Sequence, residues 1–423
     1  MIDIKLIRND REAVEKLLRT KEPDVDLTSI CQLDEEVRQL KTHNEKLKAE
    51  RNEASKKIGL LKREGKDTSE IMSQVSGFAD EIHSNDHKIN ELEARLHNEL
   101  AQLPNLPLEE VKVSQDVEDN VIIKEWGQKR EFDFEPKNHM ELGESLNLFD
   151  FKRGAKITGT GWPIYRGMGA RLEWALINYM VDINIENGFE MFMLPLAVKR
   201  DTLFGSGQLP KFEDQQFRIF DKDFDFFMIP TAEVPLNGLH MDEIIPEEEL
   251  PLKYCAFTPC FRREAGAAGE KERGLIRVHQ FNKVEMFCFC TPEQSMEMHA
   301  QMCQCAEEIL EGLGLHYRNS VLVTGDMSFA SAYTVDIEVW LPGQDRYYEV
   351  SSVSNCTDYQ ARRSLTRYRK KGEKPEFVYT LNGSGLATSR LLISLLENNQ
   401  NADGTINVPE VLQGRMGGVK VLN

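Results

Sequence analysis

No stretch of the 423-residue sequence approaches the roughly 20 consecutive apolar residues of a membrane span. The opening Met1-Ile-Asp-Ile-Lys-Leu-Ile-Arg also lacks the apolar run of a secretory signal. Both absences predict a cytoplasmic chain with no membrane partner. Positive charge is scarce: 52 Lys and Arg stand against 70 Asp and Glu, a net charge of -18. That balance argues against a generally basic nucleic-acid coat protein, so any nucleic-acid contact must be local. None of the eight cysteines falls in the C-x-x-C spacing of a zinc or redox site. Cys288 and Cys290 sit in an apolar run and read as buried reduced thiols, so no zinc is expected. At this length the chain should hold more than one domain.

What is present begins with two heptad seams. Leu33, Val37, Leu40, Asn44, Leu47, Arg51, Ala54, Ile58 and Leu61 alternate spacings of four and three, as do Ile71, Val75, Phe78, Ile82, Asn85, Ile89, Leu92 and Leu96. This is the pattern of a coiled coil. The seams mirror each other about Glu64 and Gly65, with Ile58 facing Ile71 and Leu33 facing Leu96, so Asn44 meets Asn85. A buried amide pair fixes register, because a slip leaves both amides unpaired among leucines. The expectation is one antiparallel hairpin at about 33–103, turning at Gly65-Lys-Asp, with helices of about 30 residues and hence roughly 45 Å long. Near its tip Lys56, Lys57, Lys62, Arg63 and Lys66 are opposed mainly by Glu64 and Asp67. The cluster reads equally as the charged surface of a coiled coil and as a contact for RNA phosphates. Pro104-Asn-Leu-Pro107 ends the second helix. The domains expected are therefore 1–107, a polar connector at 108–135 with a strand near Val121–Lys124, and 136–423.

Within 136–423, a helix carrying Leu172, Leu176, Tyr179, Met180 and Ile183 on one side leads past Gly188 into a short apolar strand closed by Pro195. Asp221 to Ile229 reads as a strand ending at Pro230-Thr-Ala-Glu-Val-Pro235. There Thr231 and Glu233 offer a hydroxyl and a carboxylate to a small polar ligand or, in the more ordinary reading, cap a helix. Tyr254 to Phe261 and Val278 to Phe289 are rich in aromatic and β-branched residues, and Gly266, Gly269 and Gly274 lie between them. A β-hairpin with a long mobile turn follows. Strand alternation puts Arg277, Phe281 and Glu285 on one face and Arg262 with Glu264 on its partner. From Phe281 to Glu285 is roughly 13 Å at about 3.3 Å per residue, which fits an adenine, a phosphate and an amino acid in a row. The plain alternative is a solvated face of cross-strand ion pairs. Two strands, Tyr333 to Trp340 and Arg346 to Val350, lead to Glu349-Val-Ser-Ser352, hard oxygen ligands at a strand end suited to Mg²⁺ held mainly by phosphates. Asn382-Gly-Ser-Gly-Leu-Ala-Thr-Ser-Arg390 opens an apolar helix, and an arginine there needs an anion or a π-face as partner.

In this combination the chain resembles the bacterial-type seryl-tRNA synthetases of the class II aminoacyl-tRNA synthetases, over essentially its full length. The arm, motif 1 near 170–195, Thr-Ala-Glu, motif 2 near 254–290, Glu-Val-Ser-Ser and motif 3 near 382–397 carry the resemblance. It implies an α+β fold: an N-terminal antiparallel α-helical coiled-coil arm that binds tRNA, then a class II catalytic domain with an antiparallel β-sheet flanked by helices. It also implies a cytoplasmic homodimer with Pro195 at its interface. Two-step chemistry is implied as well: L-serine and ATP, with Mg²⁺, give seryl-adenylate, and serine passes to the 3′ end of tRNA(Ser) and, in similar enzymes, tRNA(Sec).

By the same resemblance, serine is bound by Thr231, Ala232, Glu233, Glu285, Asn382 and Ser384. ATP is bound by Arg262, Arg263, Glu264, Arg277, Val278 and Phe281, by Glu349, Val350, Ser351 and Ser352, and by Arg390. Arg262 takes the α-phosphate, Glu264 the adenine amino group, Phe281 and Arg390 the two adenine faces, and Glu349 with Ser352 the Mg²⁺. Arg262 and Arg390 are the catalytic residues, acting by alignment and charge stabilisation with no protein nucleophile. The basic residues at the arm's tip are the implied tRNA contacts. Three other readings compete: amino-acid activation for a carrier protein, an inactive paralogue serving as an RNA-binding module, and a coiled-coil interaction protein. The long arm argues against the first, intact Arg262, Glu264, Glu349 and Arg390 against the second, and the rest of the chain against the third.

Overall fold

The computed structural model describes residues 1–264 and 274–423, so Gly266 and Gly269 of the expected turn fall outside the described residues. It divides into two compact units, Ile2–Pro104 and Asn105–Asn423, with Met1 belonging to the second.

In the first unit, helices α1 (Thr28–Arg63) and α2 (Ser69–Ala101) form an antiparallel hairpin, joined by pairs such as Ser29 with Glu99 and Lys41 with Glu93. Leu33, Val37, Leu47, Ile82, Ile89, Leu92 and Leu96 are buried, and the seam positions nearer the turn are half-buried. Asn44 is 1% exposed. Its Oδ1 accepts from Asn85 Nδ2 at 3.0 Å, and its own Nδ2 donates to Asp86 Oδ1 at 2.8 Å. The expected amide pair is formed, with an extra partner that the seam does not reveal. The helices run 36 and 33 residues, about 54 and 50 Å at about 1.5 Å per residue. They exceed the expected length because the first begins at Thr28, a full turn before the first seam leucine. Gly65 turns the chain at φ 69°, where a Cβ would be strained.

The second unit is built on an eight-stranded sheet. Its strands are β1 (Val121–Trp126), β2 (Glu190–Phe192), β3 (Leu252–Phe261), β4 (Gln280–Cys290), β5 (Tyr317–Val321), β6 (Tyr333–Leu341), β7 (Arg346–Asn355) and β8 (Tyr379–Ala387). The spatial order is β1-β5-β6-β7-β8-β4-β3-β2, antiparallel throughout except between β2 and β3. Side-chain alternation makes the layers. Along β4, Val284, Met286, Cys288 and Cys290 alternate with Phe281, Lys283 and Glu285; along β6, Val335, Ile337 and Val339 alternate with Asp336 and Glu338. The apolar sets are buried against α3 (Gly167–Glu186), α4 (Ser295–Gly312) and α5 (Thr388–Asn398), each large side chain contributing roughly 1.5–3 kcal/mol. The polar sets are left on the opposite face, where a site can be built.

The structure corrects the sequence reading at several points. In the expected connector 108–135 the strand expected near Val121–Lys124 forms and runs on to Trp126 as β1, which pairs along β5 from Val121 and Val321 to Trp126 and Tyr317. A strand edge offers unpaired N–H and C=O groups that an extended neighbour satisfies, so this segment belongs to the sheet unit. The strand expected at Asp221 to Ile229 runs only from Asp225 to Met228. Asp221 Oδ1 accepts from the backbone N–H of Asp223 and Phe224, at 2.8 and 3.2 Å, and makes a turn of its first residues. Asn382 to Ala387 is strand, and the helix starts at Thr388. Glu349 to Ser352 lies in mid-strand. Among the described residues no helix is long and apolar enough to cross a membrane.

Candidate active site

β3 and β4 pair from Leu252 and Phe289 to Phe261 and Gln280, and β8 lies on the other side of β4 with Ser384 opposite Glu285 and Asn382 opposite Phe287. Directly opposed residues share a face, so Phe281, Lys283, Glu285, Asn382 and Ser384 project together from the face without helices. Arg277 is not part of that row by alternation, because β4 begins at Gln280, and Arg262 and Glu264 lie beyond the end of β3. They reach the site from the turn. Glu264 takes φ 46°, rare outside glycine, and accepts from Arg277 Nη1 at 3.2 Å. The Arg262 guanidinium lies 5.1 Å from the centre of the Phe281 ring, and its Nε donates to Pro230 O at 3.2 Å.

Arg262, Glu264, Arg277, Phe281 and Lys283 line one cleft together with Val278, Glu349, Val350, Ser384 and Arg390. Arg390, in the first turn of α5, has Nη1 3.1 Å from both Glu349 Oε2 and Glu349 O, and its guanidinium lies 4.9 Å from the Tyr348 ring. The anion and the π-face that this arginine needs are therefore both internal. Three arginines and an aromatic plane around two carboxylates suit a polyanion with a flat base.

A buried polar cluster occupies the other end of the row. Lys283 is 6% exposed. It ion-pairs with Glu285 at 2.5 Å and donates to Thr231 Oγ1 at 2.9 Å. Thr231 Oγ1 also accepts from the Glu233 N–H at 3.2 Å, so this residue closes a turn at the helix start and joins the cluster as well. Glu233 Oε1 accepts from Gln360 Nε2 at 2.6 Å. Gln360 is fixed in that orientation, since it also donates to Ser206 O at 3.0 Å and accepts from Thr380 Oγ1 at 2.7 Å. Burial, and then the charge of Glu285, push the Glu233 carboxyl up to about 7. Lys283 and Gln360 are members that sequence reasoning missed. Lys283 was findable, because it shares strand parity with Phe281 and Glu285, whereas Gln360 is 127 positions from Glu233 and carries no local signal.

Between β6 and β7 the register shifts: Ile337 faces Ser351 but Glu338 faces Glu349, so Val350 is an extra residue. The bulge re-aims the strand. Ser352 lies opposite Asp336 and Glu349 opposite Glu338, so Glu349 and Ser352 share a face that plain alternation would deny them. Burial, and then Glu349, hold the Asp336 carboxyl well above the usual range. Asp336 Oδ1 is buried with no hydrogen-bond partner among the described residues, which also gather no group of three His, Cys, Asp or Glu fit to hold a metal ion. Glu349 and Ser352 offer two hard oxygens on one face, a set suited only to a cation that takes most of its ligands from phosphate oxygens and water.

The other expected site residues differ in their surroundings. Arg263 is exposed and outside the cleft, with its backbone N–H donating to Gln215 O at 3.1 Å. Ala232 is wholly buried in an apolar cluster with Leu236 and Ile245, so it can offer a ligand only its backbone. Ser351 Oγ donates to Ser384 O at 2.6 Å, and Asn382 Nδ2 is 3.4 Å from Cys356 Sγ. Pro195 is exposed just after β2, and Lys56, Lys57, Lys62, Arg63 and Lys66 are exposed at the hairpin turn, where Lys66 pairs with Glu64 at 2.7 Å.

Comparison with known proteins agrees with this arrangement. The family model for the seryl-tRNA synthetase N-terminal domain matches residues 1–107, and that for the class II tRNA synthetase core domain (G, H, P, S and T) matches residues 216–399. A serine–tRNA ligase of Chlamydia pneumoniae is 50% identical over 422 residues, covering 100% of this chain and 99% of that protein. The seryl-tRNA synthetase of Pyrococcus horikoshii, solved in complex with ATP, superposes with a TM-score of 0.94 at 36% identity, covering 100% of this chain and 99% of that one. The cytoplasmic serine–tRNA ligase of Naegleria fowleri, in complex with AMP, gives 0.90 at 28% identity with the same coverage.

Proposed function

The chain belongs to the seryl-tRNA synthetase family and is a class II serine–tRNA ligase, and from that premise we propose how its own residues carry the two steps. The observation that supports the assignment most is the row Phe281, Lys283, Glu285 on one face of β4. Phe281 takes the adenine, with Arg390 on the base's other face, Val278 beside it and Glu264 at its amino group. Arg277 meets the terminal phosphates and Arg262 the α-phosphate. The ammonium of serine lies between Glu233, Glu285 and Thr231, and its hydroxyl meets the Asn382 and Ser384 side of the pocket. Lys283, midway along the row, faces the junction of serine carboxylate and α-phosphate.

A serine carboxylate oxygen attacks the α-phosphorus, and pyrophosphate leaves with the electron pair of the broken P–O bond. No side chain becomes covalently bound. The work is alignment and neutralisation of charge, by Arg262 from one side and Lys283 from the other. Glu349 and Ser352 would hold a Mg²⁺ ion, which would supply further neutralisation of charge. A pocket built to bond a hydroxyl rejects alanine, because its buried acceptors would go unpaired, and rejects threonine by size.

The same reading makes 1–107 the tRNA-binding domain, with the tip residues Lys56, Lys57, Lys62, Arg63 and Lys66 on RNA phosphates, and makes tRNA(Sec) a second acceptor beside tRNA(Ser). It makes 136–423, extended by β1, the catalytic domain of a cytoplasmic homodimer. Support for the dimer comes from Met191 and Met193, 42% and 91% exposed just before Pro195, an apolar run that a second copy would cover. The test is Glu285→Ala: serine-dependent exchange of pyrophosphate into ATP should vanish while circular dichroism and size in solution stay unchanged, and near-normal exchange would sink the assignment.

A further inference from the structure

The strand ladder stops where the two walls of the adenine slot stand. β8 pairs with β4 residue by residue up to Ser384 and Glu285, and the register then shifts, so that Ala387 lies opposite Lys283. Ala387 is the last residue of β8 and Thr388 the first of α5, so the ladder between the two strands ends there. Phe281 and Arg390 both lie past this point, and both line the ATP cleft together with Ala387 and Ser389. Something other than main-chain pairing must hold them apart at a fixed distance.

Strand alternation turns the Asn282 side chain to the helix-covered face, away from Phe281 and Lys283. There it meets Glu173 of α3, which is 4% exposed. Glu173 Oε1 accepts from Asn282 Nδ2 at 2.9 Å and also from the hydroxyl of Thr388, and Thr388 Oγ1 lies 3.0 Å from Asn282 O. One carboxylate oxygen thus ties the strand that carries Phe281 to the helix turn that carries Arg390. Burial pushes the Glu173 carboxyl up to about 7, and its Oε2 is buried with no hydrogen-bond partner among the described residues. An amide would be easier to bury and could accept the same two bonds through its oxygen. A carboxylate makes the stronger bonds, which suits a brace more than a core. We propose that Glu173 is a positioning residue for the nucleotide: it sets the separation of Phe281 and Arg390, and with it the fit of the base between them, without touching the base. A base stacked on both faces tolerates little slack, because contact is best at about 3.5–4.0 Å and a gap of about 0.5–1 Å forfeits about a quarter to a half of the attraction. The serine pocket has its own ties, from Lys283 to Thr231 and from Gln360 to Glu233, so loss of the brace should weaken ATP and spare serine.

The proposal rests on the assignment of Phe281 and Arg390 to the adenine, and the test separates the two. Pyrophosphate exchange is measured at pH 8 with ATP varied at saturating serine, and with serine varied at saturating ATP, for the wild type, Glu173→Leu, Glu173→Gln, Thr388→Val and Phe281→Ala. Glu173→Leu removes the acceptor at similar size. It should raise the KM for ATP about tenfold, equivalent to about 1.4 kcal/mol, and keep kcat and the KM for serine within about twofold. Glu173→Gln keeps an accepting oxygen and should raise the KM for ATP no more than about threefold, while Thr388→Val, which deletes one of the two ties, should raise it about fivefold. A leucine variant with the wild-type KM for ATP overturns the proposal. So does one in which both KM values rise together, since Glu173 would then be an ordinary strut of the core. A glutamine variant as impaired as the leucine one overturns it as well, because the accepting oxygen would not be what matters. If the leucine variant does not fold, an unchanged KM for ATP in Thr388→Val overturns the proposal in its place. An unchanged KM for ATP in Phe281→Ala would strike the adenine assignment itself, and the proposal with it.

Discussion

Serine capture should depend on pH through Glu233. Burial and the neighbouring Glu285 raise its carboxyl from 4.5 to about 7, so about one molecule in ten carries the charge at pH 6 and about nine in ten at pH 8. An ammonium ligand needs the charged form. The KM for serine should therefore fall roughly tenfold from pH 6 to pH 8, equivalent to about 1.4 kcal/mol. The stability of the free protein runs the other way. The folded-state value lies above the unfolded one, so the stabilisation is fully present below about pH 4.5 and is lost as pH rises through about 7, a change of at most about 3 kcal/mol. Glu233→Gln keeps the oxygen that Gln360 bonds and removes the titration. It should abolish serine-dependent exchange, match the wild type in urea at pH 4.5, and unfold at higher urea than the wild type at pH 8. A wild-type KM flat between pH 6 and 8, or a glutamine variant no more stable at pH 8, would refute this account of the pocket.

Lys283→Met leaves Glu285 buried without its counter-charge, so it should cost about 3–5 kcal/mol in urea unfolding and slow exchange more than a hundredfold; a variant of wild-type stability would remove Lys283 from the site. Replacing Lys62, Arg63 and Lys66 together by alanine should leave exchange untouched, raise the KM for tRNA, and flatten its dependence on log salt by up to about 0.7–0.9 per charge removed. Unchanged salt dependence would return the tip to an ordinary charged surface. Asn44→Leu should loosen the hairpin by about 1–3 kcal/mol, because Asn85 and Asp86 lose their partner. Faster amide exchange in α1 and α2 of the full chain would report it, and Asn44→Leu with Asn85→Leu should recover part of the loss.

The hairpin arm was legible because its information is periodic: a seam of four-three spacings and one pair of asparagines determine both pairing and register. The β3–β4 hairpin was legible for a similar reason, the alternation of Val284, Met286 and Cys288 with Phe281 and Glu285. Periodicity stops at irregular backbone. Arg262, Glu264 and Arg277 enter the cleft from beyond the strand ends, and alternation is silent about them. The bulge at Val350 brings Glu349 and Ser352 to one face against the plain rule, because a bulge is chosen by packing of Val350 into the core, not by any local signal in Glu-Val-Ser-Ser. β1 was legible as a strand, but its place at the edge of the sheet was not, because its partner β5 lies some 200 positions away in sequence. Gln360 is a polar residue in an unremarkable stretch, and only its buried bonds to Glu233, Ser206 and Thr380 give it meaning.

The pocket should activate serine and nothing smaller or larger. It is tested most directly by the exchange of labelled pyrophosphate into ATP by the wild-type protein with Mg²⁺, run side by side with serine, alanine, threonine and glycine. Exchange is expected with serine alone. Equal exchange with another of these amino acids, or none with serine from folded protein, would contradict it.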